Sequence, residues 1–172
     1  MVSDKSIIQS LQNKVVKKIQ PLEEPKKVEI YKCAVAYEGK RVVALALEKL
    51  NLKEVPDEIE KLSDLRYLSL SNNEIENVPP WVGKLKKLKK LIFSGNKIKN
   101  LPSNLGKSKS LEVFHILKNP IDRLPISFRR YADIYSQFRE IGIKQYGLER
   151  KTRETVDMLK NRGVRVIEPE RS

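Results

Sequence analysis

The sequence predicts an α/β solenoid, with a parallel sheet on its concave side and short helical or irregular segments on its convex side. The first observation is that four 23-residue units follow one another, each opening on an apolar residue. The second is that a proline stands at position 15 of every unit, and an asparagine at position 9 of the last three. Repeats of this length that stay in register are typical of stacked solenoids. The opening residues are Val42, Leu65, Leu88 and Leu111, the prolines are Pro56, Pro79, Pro102 and Pro125, and the asparagines are Asn73, Asn96 and Asn119.

Each unit is predicted to begin with a short strand. Apolar residues at positions 4 and 6 alternate with their neighbours, which is the periodicity of a strand. One strand buries little surface alone, whereas parallel strands stacked about 5 Å apart build a continuous core. We expect the asparagines to form a ladder, because their side-chain amides can bond backbone groups of the turn that leaves each strand.

The second unit, residues 65–79, follows the pattern L-x-x-L-x-L-x-x-N-x-I-x-x-V-P. This pattern resembles the leucine-rich repeat family, and specifically the 23-residue intracellular type found in Ras-pathway scaffold proteins. The resemblance covers residues 42–131 and implies a right-handed solenoid whose concave face binds protein partners. Two positions depart from it, with Leu50 at the asparagine position of the first repeat and Ser108 at a leucine position of the third. The four repeats are residues 42–64, 65–87, 88–110 and 111–131.

Both ends are predicted to cap the solenoid. Residues 1–41 are expected to form an amphipathic helix over 4–20, a short linker over 21–27, and a strand over 28–37 that forms a hairpin with the first repeat strand. Such a hairpin would cover the open edge of the sheet. Residues 132–172 form the C-terminal helical cap. The expected helices there, one of which starts within the last repeat, span 129–141 and 148–160, and a strand at 164–167 joins the sheet beyond the fourth repeat.

The composition argues against an enzyme. The chain has one histidine, one cysteine, no glycine-rich phosphate loop and no metal-ligand spacing, so we predict no catalytic residue, metal or cofactor. Cys33 is predicted to be a packed core residue, because its strand offers no activating neighbour. The absence of a disulfide framework and of long apolar runs predicts a cytoplasmic protein without a membrane span. Charged residues make up 33% of the chain, which fits a heat-loving source.

The concave face is the predicted protein-binding site. Positions 2, 3, 5, 7 and 8 of each repeat should point towards it, and several carry apolar, aromatic or basic residues there. Two alternatives stay open, because scattered surface hydrophobic residues are normal in soluble proteins and the C-terminal segment could fold over them. The candidate residues are Arg66, Tyr67, Lys89, Lys90, Ile92, Val113, His115 and Leu117.

A lysine stripe is the second candidate surface. Residues 84–118 hold ten lysines and one acidic residue, and the repeat stacks some of these lysines in columns along one edge. Such a stripe would attract an acidic protein, a nucleic acid or an anionic membrane, or it would only keep the protein soluble. The run lacks arginine, the usual residue for phosphate recognition. We therefore predict a protein partner with an acidic patch, with an RNA- or ribonucleoprotein-associated role as the alternative, and leave monomer or dimer open. The stripe residues are Lys61, Lys84, Lys86, Lys107 and Lys109.

Overall fold

The computed structural model describes residues 3–15, 17–135, 137–144 and 146–168. Among these residues, eight strands form one sheet in chain order, from β1 at one edge to β8 at the other. Neighbouring strands are parallel, except that β2 and β3 are antiparallel. The predicted terminal caps also include residues 1–2, 16, 136, 145 and 169–172, which lie outside this description. The strands are β1 (Gln20–Leu22), β2 (Cys33–Glu38), β3 (Arg41–Leu47), β4 (Tyr67–Ser69), β5 (Lys90–Ile92), β6 (Val113–His115), β7 (Glu140–Gly142) and β8 (Arg165–Ile167).

Short helices connect the strands. Three α-helices occur in the described residues, and four of the five 3₁₀ helices there lie on the convex side of the repeats, Pro25–Glu29 being the exception. Three of the 3₁₀ helices begin directly after the position-15 proline of their repeat. Proline suits this place because its fixed φ prepares the turn and its missing N–H would have no partner there. The α-helices are α1 (Asp4–Lys14), α2 (Arg129–Asp133) and α3 (Arg150–Asn161), and the 3₁₀ helices are Pro25–Glu29, Asp57–Lys61, Pro80–Lys84, Leu105–Lys107 and Ile126–Phe128.

The core confirms the predicted solenoid with its parallel sheet. The position-4 residues Leu45, Leu68, Leu91 and Phe114 are cross-strand partners on neighbouring strands, and Ile141 of β7 continues their row. All five side chains are fully buried. A row of large apolar side chains at one register position is what makes each repeat depend on its neighbours for burial.

The asparagine ladder is also confirmed. Asn96 Nδ2 donates to the carbonyl oxygen of Phe93 in its own repeat (2.8 Å) and to that of Leu70 in the preceding repeat (3.0 Å). Its Oδ1 accepts from the backbone N–H of Ile75 at 3.0 Å. Asn73 and Asn119 make the equivalent bonds. The side chains therefore join consecutive repeats where the strands have ended and no sheet partner exists.

The N-terminal cap differs from the prediction. The expected helix over 4–20 ends at Lys14, because Gln12 Nε2 donates to the Lys17 carbonyl and its Oε1 accepts from Ile19 N–H, which turns the chain. Ile19 still reaches the core, but it leads into β1 rather than continuing the helix. The strand expected over 28–37 begins only at Cys33. The predicted hairpin between β2 and β3 is confirmed, with Gly39 in its turn at φ +57°.

The C-terminal region contains a strand that the sequence analysis missed. The helix expected over 129–141 ends at Asp133, and Glu140–Gly142 is β7. Packing explains the difference, because Tyr131 stacks on Phe138 with ring centroids 4.2 Å apart and so holds the chain that returns to the sheet. The predicted strand is found as β8, and it pairs with β7 rather than directly with β6.

The predicted second helix of this region is present as α3. Its end is marked by Gly163 at φ +82°, whose N–H donates to the Lys160 carbonyl. A left-handed glycine in this place is a common way to end a helix. Within the described part of the chain, no helix is long and apolar enough to cross a membrane.

Candidate protein-binding site

A segment of the chain itself crosses part of the concave face. Residues 23–32, here called the concave strap, connect β1 to β2 and include the 3₁₀ helix Pro25–Glu29. Val28 of the strap is fully buried. The strap was not predicted, because residues 21–27 were expected to be a linker, residues 28–37 a strand, and only the C-terminal segment a possible cover of this face. The strap therefore covers the concave side of β2 and β3 and reaches Tyr67 of β4.

Small side chains make room for the strap. Ala34 and Ala36 of β2 pair with Ala46 and Ala44 of β3, and these four methyl groups pack in one cluster around Val28. Tyr67 belongs to the same cluster, and Leu22 and Ile92 pack against it. Larger side chains at the alanine positions would hold the strap away from the sheet. Along β2 and β3, alanines therefore face the strap on one side of the sheet, while larger apolar residues face the main core on the other side.

A cleft of about 730 Å³ lies between the strap and the neighbouring strands. Five of the eight predicted protein-binding residues line it, namely Arg66, Tyr67, Lys89, Lys90 and Val113. Its other lining residues include strap residues and the acidic and basic side chains that pair with this group. The structure thus brings most of the predicted site together in one concave place.

The basic residues of the cleft are held by carboxylates. Arg66 makes two bonds of 2.7 Å to the exposed Glu38. Lys89 lies 2.9 Å from Glu112, which also contacts Arg139 at 3.4 Å. Ion pairs this exposed contribute little to stability. A partner's carboxylates can therefore exchange with them at small cost.

Lys90 connects the cleft to the strap. Its Nζ lies 2.7 Å from a carboxylate oxygen of Glu29 and 5.7 Å from the ring centroid of Tyr67. Tyr67 is only 8% exposed, and burial, followed by the charge of Glu48, raises the pKa of its phenol. Tyr67 therefore forms the floor of the site with a neutral hydroxyl, rather than a projecting anchor.

The remaining predicted residues lie outside the cleft. Ile92 packs beside the strap, and Leu117 is half-buried. His115 Nε2 lies 2.7 Å from Glu140 Oε1. Its ring also faces Gly142, where an added Cβ would come within 2.9 Å of the imidazole, so a glycine is needed there. Among the residues that the structure describes, no group of three metal-ligating side chains occurs.

The lysine stripe forms a separate surface. Lys61, Lys84 and Lys107 are the last residues of three successive convex 3₁₀ helices, and Lys86 and Lys109 follow two of them. All five are exposed, and within the described residues none has an ion-pair partner. Neighbouring lysines differ in this respect, since Lys87 pairs with Asp64 and Lys97 with Glu74 at 2.8 Å. Among the described residues, the stripe is thus a row of positive charges without ion-pair partners.

The repeats match a known family. Residues 41–131, just over half of the chain, match the family described as "Leucine-rich repeat region". The chain belongs to the leucine-rich repeat family. Leucine-rich repeats typically act as scaffolds for protein interaction rather than as catalysts. No curated protein sequence matches this leucine-rich repeat chain.

Solved structures agree on the fold. A pollen receptor kinase 3 structure is similar with a TM-score of 0.62 and 18% identity, over 85% of this chain and 72% of that one. A leucine-rich repeat protein of Leptospira interrogans is similar with a TM-score of 0.55 and 21% identity, over 86% of this chain and 48% of that one. At such identities these neighbours show the shared solenoid alone.

Proposed function

We propose that this leucine-rich repeat chain is a non-catalytic protein-interaction module that binds its partner at the concave cleft. The observation that carries the proposal is that Arg66, Tyr67, Lys89, Lys90 and Val113 line one cleft on a rigid sheet. Preformed strands hold these side chains in place, so binding loses little conformational entropy. Tyrosine and arginine are also enriched among residues that dominate binding energy.

The charges of the cleft favour a partner with an acidic patch. Each basic residue now contacts a carboxylate of the chain, such as Glu112 or Glu38. Carboxylates of a partner would replace these contacts, while the apolar floor at Val43, Ala44 and Val113 would receive an apolar side chain. We further propose that the protein works in the cytoplasm, which its single cysteine, Cys33, supports.

Site-specific photo-crosslinking in cells that make the protein tests this proposal. A photoreactive amino acid replaces Lys89 at the cleft, Lys107 in the stripe, or Lys151 on the exposed side of α3 as the control. Crosslinked products are identified by mass spectrometry before and after nuclease treatment. The proposal expects a discrete, nuclease-resistant protein product at Lys89 and none at Lys151. Equal yields of crosslinked product at Lys89 and Lys151, or no product at Lys89, would contradict the proposal.

A second candidate function rests on the lysine stripe. Five exposed lysines, which have no carboxylate partner in the part of the chain that the structure describes, suit an RNA- or ribonucleoprotein-associated role. In that case the crosslinked product at Lys107 disappears after nuclease treatment. The affinity for RNA would also fall steeply with salt, because each phosphate contact releases a counterion. A protein interface in the cleft would be far less sensitive to salt.

A further inference from the structure

We infer that the concave strap occupies the position of a partner segment, and that this segment carries a branched aliphatic residue directly followed by an acidic residue. The inference rests on the proposed function and deepens it, because it states the chemistry that the concave face recognises. The proposed residue types are those that the strap itself presents to the concave face. Val28 and Glu29 are consecutive, and each contacts a different part of the face.

The surface beneath Val28 suits a branched aliphatic side chain. Four alanine methyl groups and the ring of Tyr67 enclose it, so the site is apolar and narrow. A longer side chain would meet the sheet, and a polar one would lose its hydrogen bonds with water. Next to it, Lys90 lies between Glu29 and the Tyr67 ring and provides a place for one carboxylate.

The strap can leave this surface without opening the main core. Val28 and its neighbours form a cluster that is separate from the one holding the repeats together. Two backbone bonds of the strap, from Lys27 N–H to Glu24 and from Ile30 N–H to Lys27, stay within the strap itself. The strap contacts the face through Val28 and the Glu29–Lys90 ion pair, and its last residue, Lys32, accepts a hydrogen bond from the N–H of Glu48. Residues 28 and 29 can therefore leave the face while the end of the strap stays attached at Lys32.

The surroundings of the strap are suited to a larger partner. The open cleft adjoins it, and Ile30 and Tyr31 at its end are 77% and 41% exposed. A partner that replaces Val28 and Glu29 would thus find further apolar and charged contacts nearby. Only molecules whose strap is displaced can bind the partner segment. The apparent affinity for that segment is therefore the intrinsic affinity multiplied by the displaced fraction.

Peptide binding to the full chain tests the inference. The probe is a fluorescent ten-residue peptide with the sequence of residues 23–32, and fluorescence anisotropy measures its affinity. The test variant is Val28→Asp, which releases the strap. The matched control is Ile30→Asp, which makes the same kind of change at an exposed position of the same strap. We expect the peptide to bind Val28→Asp at least about tenfold more tightly than wild type or Ile30→Asp.

Two further variants test the chemistry of recognition. Adding Lys90→Ala to Val28→Asp should weaken peptide binding, and so should replacing valine by aspartate in the peptide. Equal peptide affinity for Val28→Asp and wild type would overturn the inference. If the inference alone fails, the crosslink at Lys89 persists, whereas failure of the proposed function removes that crosslink.

Hydrogen exchange on the wild-type protein provides a test that does not depend on a variant's folding. The inference expects strap amides to exchange through a local opening, well before those of β4 and β5. Strap amides as protected as those of β4 and β5 would overturn it.

Discussion

At the scale of single residues, the asparagine ladder links neighbouring repeats most directly. Asn96 donates to two carbonyl groups, which each also accept from a neighbouring asparagine of the ladder, and it accepts from the N–H of Ile75. The side chain is buried, so water does not replace these bonds. The first repeat lacks the asparagine and has Leu50, but Leu50 N–H donates to Asn73 of the next repeat at 2.9 Å. Each asparagine therefore supports the repeat before it.

The first prediction concerns this residue. Asn96→Ala should lower the free energy of unfolding by about 3 kcal/mol, because it leaves the buried N–H of Ile75 without its partner and removes one of the two donors from each of two carbonyl groups. Urea denaturation measures the change. The control is Asn100→Ala at an exposed position, which should change stability by less than about 0.5 kcal/mol. Similar effects of the two substitutions would contradict the role of the ladder.

At the scale of elements, α1 is fixed to the first repeat by charged contacts. The buried Asp4 carboxylate accepts from the N–H of Val42 at 2.8 Å and contacts Arg41 at 3.1 Å. At the other end of the helix, Lys14 lies 2.6 Å from Glu58 of the first convex 3₁₀ helix. The hydrogen bond between Lys14 and the Glu58 carboxylate holds the pKa of Glu58 below its ordinary value. The cap is therefore joined to the solenoid at both ends of α1.

The second prediction follows from this pKa. A carboxyl whose pKa is lower in the folded state stabilises the protein at neutral pH, and that contribution disappears as the pH falls below the ordinary glutamate value of about 4.3. Wild type should therefore lose more stability between pH 7 and pH 3 than Glu58→Gln, as measured by urea midpoints. Glu60→Gln, in the same 3₁₀ helix, is the control and should behave as wild type. Equal losses in wild type and Glu58→Gln would show that the pair does not contribute.

Elements that keep the repeat spacing could be predicted from sequence, and those that leave it could not. The row from Leu45 to Phe114 follows directly from the constant interval. β7 was missed because its residues Phe138, Ile141 and Ile143 keep the order of apolar positions 1, 4 and 6 but come 27 residues after those of the fourth repeat. Helix-like spacing of the nearby aromatic residues obscured this signal.

The concave strap had a weaker signal. The position of the strap depends on tertiary packing, because the strap lies where four alanines leave space on the sheet. The alternation of small and large residues in β2 and β3 was visible in the sequence, but it does not say which segment covers the small ones. Residue types suited to binding could be predicted from repeat positions, whereas their pairing with Glu29, Glu38 and Glu112 depends on tertiary geometry.

At the scale of the whole molecule, the charge distribution is uneven. The chain carries a formal net charge of +13, and the stripe lysines lack partners within the described structure. Like charges stacked on successive repeats repel one another. This repulsion extends over about 30 Å at 0.01 M salt and about 3 Å at 1 M.

The third prediction uses this salt dependence. Lys84→Glu should raise the melting temperature at low salt, because it places an opposite charge between Lys61 and Lys107, and the gain should vanish at 1 M salt. Lys97→Glu is the matched control, and it should lower the melting temperature at low salt because it breaks the pair with Glu74. Thermal unfolding followed by circular dichroism measures both. A lower melting temperature for Lys84→Glu at low salt would show that repulsion among the stripe lysines does not destabilise the fold.

The proposed binding of a protein at the concave cleft can be tested by one affinity measurement. The protein recovered by crosslinking at Lys89 is titrated against wild type, against the cleft variant Arg66→Ala/Lys89→Ala, and against Lys97→Ala/Lys99→Ala as a control of equal charge. We expect the cleft variant to bind about tenfold more weakly, which corresponds to about 1.4 kcal/mol, and the control to keep its affinity. Equal affinities for all three proteins would contradict the proposal.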